Sequence, residues 1–271
     1  QCPVTTSTTT QSKLKLFIKK AVKIIIVAAF WILVWEAVAR FVARENELMY
    51  ILLPRPIEVF ELWLEMAFTP KYLAAVGETL LRIFYGFFVG TVGGVVLGVL
   101  THFFKVCDMF LSPLMKIIRA VPVVAITILF FSLFKSDALP TSVVALMVTP
   151  LIWQTVHDGL SNPDRELCEM AQVFHIGRVK TFWYIKLPSL LPQLLTATVN
   201  ALGLAWKSGV AAEVICEPAV ALGSLLIEGK KMIDFASVYA ITLTVVILSL
   251  IIEVLLKAVC NYFLKKREEG L

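Results

Sequence analysis

Lys207 is the residue best able to hold an anion. It follows Trp206 inside an apolar run, about Leu190–Ala212, that is long enough to cross a bilayer. A cation in hydrocarbon is costly and by default has a partner or a function. Its ammonium can attract a sulfonate, a carboxylate or nitrate. It can also pair with Glu213 or snorkel outward. At a spacing of six the two are not neighbours on one helix, so that pair needs a turn between them. Arg119 sits in another such run, three residues before Pro122, and Glu78 and Arg82 stand four apart as an i,i+4 ion pair. Covalent chemistry has no such footing. His102, His157 and His175 are widely separated, and H-E-x-x-H and G-x-S-x-G do not occur. Without G-x-x-x-x-G-K-[ST] the chain has no phosphate loop for ATP. Cysteines 2, 107, 168, 216 and 260 form no CxxC or CxxH pattern and read as small apolar residues or free thiols.

These charges must be positioned by membrane helices. The 271 residues are 59% hydrophobic with a mean hydropathy of +0.84, against about 45–50% for soluble domains. At ~20 residues per crossing, six spans emerge: about Lys23–Ala39, Thr79–Thr101, Leu111–Phe134, Leu139–Val156, Leu190–Ala212 and Phe235–Phe263. The expected fold is an all-α integral membrane protein. The first run is followed by Arg40, Glu45 and Glu47 with no small-residue cleavage site, so it reads as a span and not as a signal peptide.

Basic residues set the expected orientation. Lys13, Lys15, Lys19, Lys20 and Lys23 precede the first span. With alternate crossings, fifteen of the 25 Lys and Arg fall on the inner side and seven on the outer, with Arg82, Arg119 and Lys207 within spans. That bias puts both termini in the cytoplasm and explains the net charge of +5. It gives no reason to expect nucleic acid as a partner. The organisation expected is a disordered, basic N-terminus over 1–22, a first span over 23–39, an outer loop over 40–78, a five-helix core over 79–263 and a tail over 264–271.

Within the outer loop, Leu53-Pro54-Arg55-Pro56 is rigid and non-helical. After it, Glu58, Glu61 and Glu65 share one helical face while Ile57, Phe60, Trp63, Leu64 and Phe68 cover the other, as in a helix lying in the interface. Span two carries Gly86, Gly90, Gly94 and Gly98 at intervals of four. Such a ridge lets two helix backbones approach closely, within the core or at a subunit interface. Span three contains Pro113 and Pro122, so kinks are expected there.

One segment is neither span nor simple loop. Over 162–188, Asn162 can cap a helix that has Pro163 in its first turn and Asp164 near its positive end. Leu167, Met170, Ala171 and Phe174 follow at the i, i+3, i+4, i+7 spacing of one face. His175-Ile176-Gly177 interrupts this helix. Val179, Phe182 and Trp183 begin a second stripe that Leu187-Pro188 ends.

The segment resembles the EAA loop of ABC importer permeases, in which Glu-Ala-Ala is followed by Gly and then by Ile-x-Leu-Pro. Counting back from Ile185-Lys186-Leu187-Pro188, the Glu-Ala-Ala position falls on Glu169-Met170-Ala171 and the glycine position on His175. His tolerates a left-handed backbone less well than Gly, and Gly177 stands ready to take over the turn. Arg119-Ala120-Val121-Pro122, Pro150, Ala212-Glu213 and Gly223 are similar to further positions of that family. The LPxP segment before an outer amphipathic helix is similar to its nitrate/sulfonate/taurine branch.

The resemblance implies a type I importer membrane domain: six transmembrane helices with a cytoplasmic two-helix coupling loop, multi-pass in the plasma or inner membrane. It implies a homodimer of this chain above two ABC ATPase subunits, which hold the ATP and Mg, and below an extracytoplasmic binding protein. Glu169, Met170, Ala171, Phe174, His175 and Gly177 would couple to the ATPase. Arg119, Pro122, Trp206, Lys207 and Glu213 would lie along the pathway or gate. The solute expected is a small anion such as a sulfonate or nitrate. A neutral or cationic nutrient, such as a thiamine-precursor pyrimidine or riboflavin, is the alternative, and a stand-alone carrier or membrane enzyme is a second one.

Overall fold

The computed structural model describes residues 7–45, 51–133, 137–163 and 165–269. Their elements are helical: α1 (Ser7–Glu45), α2 (Pro56–Ala67), α3 (Pro70–Phe103), α4 (Lys105–Ala120), α5 (Val123–Leu133), α6 (Leu139–Ser161), α7 (Arg165–Val173), α8 (Arg178–Thr181), a π-helical turn (Phe182–Lys186), α9 (Leu187–Cys216), α10 (Leu222–Lys231) and α11 (Phe235–Glu269). Among the described residues five helices are long and apolar enough to cross a membrane, or six if the bent pair α4–α5 counts as one span.

The chain divides into two compact units. The first comprises residues 1–65 and 229–240. Its helix α1 is already formed at Ser7, where the sequence suggests an unordered tail through residue 22. Extending an existing helix costs far less than starting one, so the apolar run propagates back through the Lys-rich stretch. The segment before α2 is held at its arginine. Glu36 Oε1 accepts Arg55 Nη2 at 2.7 Å and Nε at 3.0 Å, and Arg40 Nε at 2.6 Å. Ile57, Phe60 and Leu64 of α2 are exposed, as suits an interfacial helix.

The second unit, 66–228 with 241–271, contains the central helices. Gly86, Gly90, Gly94 and Gly98 are buried along α3. Facing them on α6 stand Val144, Val148, Ile152 and Val156, also four apart and all fully buried. A Cβ built on Gly90 would lie 2.7 Å from Ala145 O and 2.8 Å from Val148 Cβ; on Gly94, 2.7 Å from Ile152 Cβ. No side chain fits there, so the backbone of α3 lies directly on the β-branched ridge of α6. Helix α9 closes the group at Gly209, where a Cβ would meet Ile83 and Val144.

Span three is more than kinked. Helices α4 and α5 meet at 103°. Val121, placed before Pro122, is extended at φ −78°, ψ 131°, because a proline disfavours the helical conformation in its predecessor. The Pro122 carbonyl then accepts the N–H groups of Ala125 at 3.0 Å and Ile126 at 3.2 Å, starting α5. Pro113, within α4, breaks nothing.

Candidate functional site

The break at Val121-Pro122 opens a cleft of about 360 Å³. Ile118 to Val123 form one wall, Met147, Pro150 and Leu151 of α6 a second, and Leu204 of α9 a third. Arg119 and Pro122 are thus brought together with Pro150. Arg119 is exposed and supplies a cation beside otherwise apolar lining. An extended residue inside a membrane span leaves backbone groups outside the helical ladder, which is tolerated where they face protein or a water-filled space.

The other pathway candidates fall elsewhere. Lys207 is exposed on α9, one turn beyond Leu204. It is outside the residues that line this cleft. Trp206 is buried and donates Nε1–H to Val245 O at 3.1 Å. Glu213 is fully buried. Its Oε2 accepts Thr79 Oγ1 at 2.8 Å and the Gly223 N–H at 3.3 Å, and its Oε1 accepts Arg82 Nη1 at 3.3 Å. Thr79 in turn accepts the Leu222 N–H at 3.0 Å. Arg82 also donates to Val220 O at 2.8 Å and keeps Glu78 at 3.6 Å. The i,i+4 pair read from the sequence is therefore the smaller part of a network joining α3, α9 and the start of α10. Thr79 was not singled out in the sequence, although its place three residues before Arg82 puts both on one face.

The segment between α6 and α9 departs from the sequence reading in three places. Asn162 closes α6: its N–H donates to Asp158 O at 2.8 Å, and α7 begins only at Arg165. The expected Asp164 contribution lies outside the described residues. The turn is made by His175 itself, at φ +50°, while Gly177 has no positive φ. Ile176 N–H donates to Ala171 O at 2.8 Å and His175 N–H to Gln172 O at 3.1 Å, the paired bonds of a Schellman cap, with histidine where glycine is usual. Finally, Leu187-Pro188 ends nothing. The π turn Phe182–Lys186 leads straight into α9, with Leu187 N–H donating to Phe182 O. Widening the helix just before a residue that lacks an N–H lets the chain continue through Pro188.

On this loop Ala171 is buried, but Leu167, Met170, Phe174, Val179, Trp183 and Tyr184 are exposed. Glu169 is exposed on the same helix. The loop is anchored at its base. Lys186 Nζ donates to Leu160 O at 3.3 Å and approaches His102 Nε2 at 3.4 Å, and His102 Nδ1 faces Ser161 Oγ at 3.3 Å.

The protein-family model described as binding-protein-dependent transport system inner membrane component matches residues 90–263. The chain is 25% identical over 189 residues to the aliphatic sulfonates transport permease protein SsuC of Bacillus subtilis (strain 168), covering 69% of this chain and 68% of that one. It is 25% identical over 173 residues to the nitrate import permease NrtB of Leptolyngbya laminosa, covering 59% and 61%. A bicarbonate transport system permease, CmpB of Synechocystis sp., is 25% identical over 146 residues, and the chain spans about half of that protein (51%). Among solved structures, the inward-facing MetNI methionine ABC transporter is similar at a TM-score of 0.60 and 18% identity, covering 70% of this chain and 94% of that one. An amino acid ABC transporter is similar at a TM-score of 0.62 and 16% identity, covering 75% and 98%. These likenesses show the fold, that of a type I importer membrane domain. Because the family model spans most of the chain, this protein belongs to the inner-membrane permease family of binding-protein-dependent ABC importers.

Proposed function

We propose that this permease carries a small anion, inorganic or a sulfonate, handed over by an extracytoplasmic binding protein and driven by two separate ATPase subunits that hold the ATP and Mg. The observation that supports it is Arg119 in the cleft at the broken span. A cation beside apolar walls acts through a reduced dielectric and favours a negative solute. The sulfonate, nitrate and bicarbonate named for the relatives point the same way. Lys207 is the second charge on this reading, positioned to act on the solute away from the cleft.

The exposed apolar face of α7 and the π turn is the proposed seat of the ATPase, with Glu169, Met170, Ala171, Phe174, His175 and Gly177 forming and shaping it. The basic bias supports a cytoplasmic position for this loop and for both termini. The chain works as a homodimer, and the Gly86 to Gly98 ridge packs within each subunit. Purification with an associated ATPase, followed by ligand identification on the cognate binding protein, tests the reading. A neutral or cationic ligand on that binding protein overturns the anion assignment, and activity without any ATPase overturns the importer mechanism for this chain.

A further inference from the structure

A second cavity, of about 250 Å³, lies between α9 and α11. Leu195, Thr196, Val199 and Asn200 line one side of it, and Lys257, Cys260, Asn261 and Leu264 the other. Cys260 Sγ lies 3.9 Å from Leu195 O, where the two helices meet. Depth follows from charge. From Phe235 to Ile252 helix α11 has no charged residue, and at ~1.5 Å per residue that stretch covers roughly 27 Å, about the hydrocarbon thickness. Lys257 and Asn261 therefore emerge at one membrane interface, at the end of α11 that continues into Lys265 and Lys266. On the proposed orientation this is the inner leaflet.

The polar groups there can take a ligand. Asn200 and Asn261 are exposed, and neither side chain has a hydrogen-bond partner among the described residues. Neither amide is committed within the protein, so each keeps its donors for a ligand at the interface. Lys257 gives one of its three donors to Glu253 and keeps two. Thr196 spends its hydroxyl hydrogen on Pro192 O at 3.0 Å. Donors thus dominate the cavity's polar lining, while Leu195, Val199 and Leu264 supply apolar flanks. Beyond it Val254 and Phe263 are exposed along α11.

We infer that this cavity binds the phosphate of an anionic phospholipid headgroup, held by Lys257, Asn200 and Asn261, with the acyl chains running along the exposed apolar face of α11. Basic pockets between transmembrane helices on the cytoplasmic side suit such headgroups.

The test uses the full chain purified in mild detergent. Retained lipid is counted by native mass spectrometry, and the melting temperature is followed on adding phosphatidylglycerol, phosphatidylcholine or inorganic phosphate. Phosphatidylglycerol should be retained and should raise the melting temperature more than phosphatidylcholine. Lys257→Met and the double variant Asn200→Leu/Asn261→Leu should each weaken that binding on the order of tenfold, the worth of a hydrogen bond to a charged group. Lys105→Met, an exposed lysine outside the cavity, should leave it unchanged. Equal retention by all variants, or an equal shift with inorganic phosphate alone, overturns the proposal. So does cross-linking that shows Asn261 buried between two copies of the chain. Thiol labelling of Asn261→Cys from either membrane side, compared with the parent, checks orientation separately. Labelling only from the outside would move the lipid to the outer leaflet and overturn the proposed topology, while the headgroup assignment would stand on the lipid counts.

Discussion

Thr79 Oγ1 donates a 2.8 Å hydrogen bond to the buried Glu213 carboxylate and accepts the N–H of Leu222 at 3.0 Å. One hydroxyl thus ties the third turn of α3 to the end of α9 and to the first residue of α10. Arg82 supplies the countercharge and Gly223 a backbone N–H, so each carboxylate oxygen has at least one donor. Gly223 is required for this approach, since a Cβ there would overlap Glu213 and lie 2.6 Å from Val214 N.

Glu213→Ala removes the acceptor of the Thr79 hydroxyl and of the Gly223 N–H, and the buried countercharge of Arg82, which keeps Val220 O and the exposed Glu78. Breaking one side of a buried charge pair costs about 3–5 kcal/mol, and Thr79→Val, which leaves two polar partners unmade, costs about 1–3 kcal/mol. Thermal melts should show both losses, Glu213→Ala the larger. The double variant Arg82→Met/Glu213→Met should recover part of the loss, because it removes both charges together.

Two glycines of one helix should answer differently to the same change. Gly94→Ala forces a methyl to within 2.7 Å of Ile152 Cβ and 2.8 Å of Thr149 O, and should cost about 1–3 kcal/mol by overpacking. Gly77→Ala meets nothing within 4 Å and gains helix propensity of up to ~1 kcal/mol. Its melting temperature should be unchanged or raised. Equal destabilisation by the two would show that the ridge is not a close contact.

His175 holds φ at +50°, so His175→Gly should be tolerated or stabilising, whereas His175→Val should lose about 1–2 kcal/mol and distort the end of α7. Gly177→Ala should be silent, since that residue takes no left-handed conformation and its Cβ would meet nothing within 4 Å. Substrate-stimulated ATPase activity of the reconstituted transporter reads this more finely than melting does.

Charge on the proposed docking face of the loop should uncouple ATP hydrolysis from substrate. Glu169→Lys should lower substrate-stimulated ATP hydrolysis and leave membrane insertion intact. Ala171→Asp should do the same and also lower stability, because Ala171 is 2% exposed. Full stimulation in both variants would place the ATPase elsewhere.

Arg119 and Lys207 separate two routes for an anion. Arg119→Met should reduce anion uptake while sparing the basal ATPase rate, and Arg119→Lys should keep part of it, since the charge survives and the shape does not. Lys207→Met tests the second charge in the same assay. Normal uptake in both variants would remove the electrostatic argument for an anionic solute.

The sequence by itself determined what periodicity and charge can encode. Apolar runs predict the helices, because each span must be apolar along its length. The basic bias gives the expected orientation, and the spacing of four along α3 marks the face that now lies on α6. The loop between α6 and α9 was legible as two amphipathic pieces around His175. What the tertiary structure decided are relations between elements. Whether Pro113 or Pro122 breaks its span depends on what packs beside each, and only at Pro122 do α6 and α9 line the opening. The partners of Glu213 are not legible in the sequence, because Thr79 and Arg82 stand more than 100 residues away on α3. Which residue turns the loop was a contest between a poor left-handed residue in the right place and a good one two positions later. The Schellman bonds to Ala171 and Gln172 form only at the residues that end α7, so the geometry of the cap outweighed the preference of glycine.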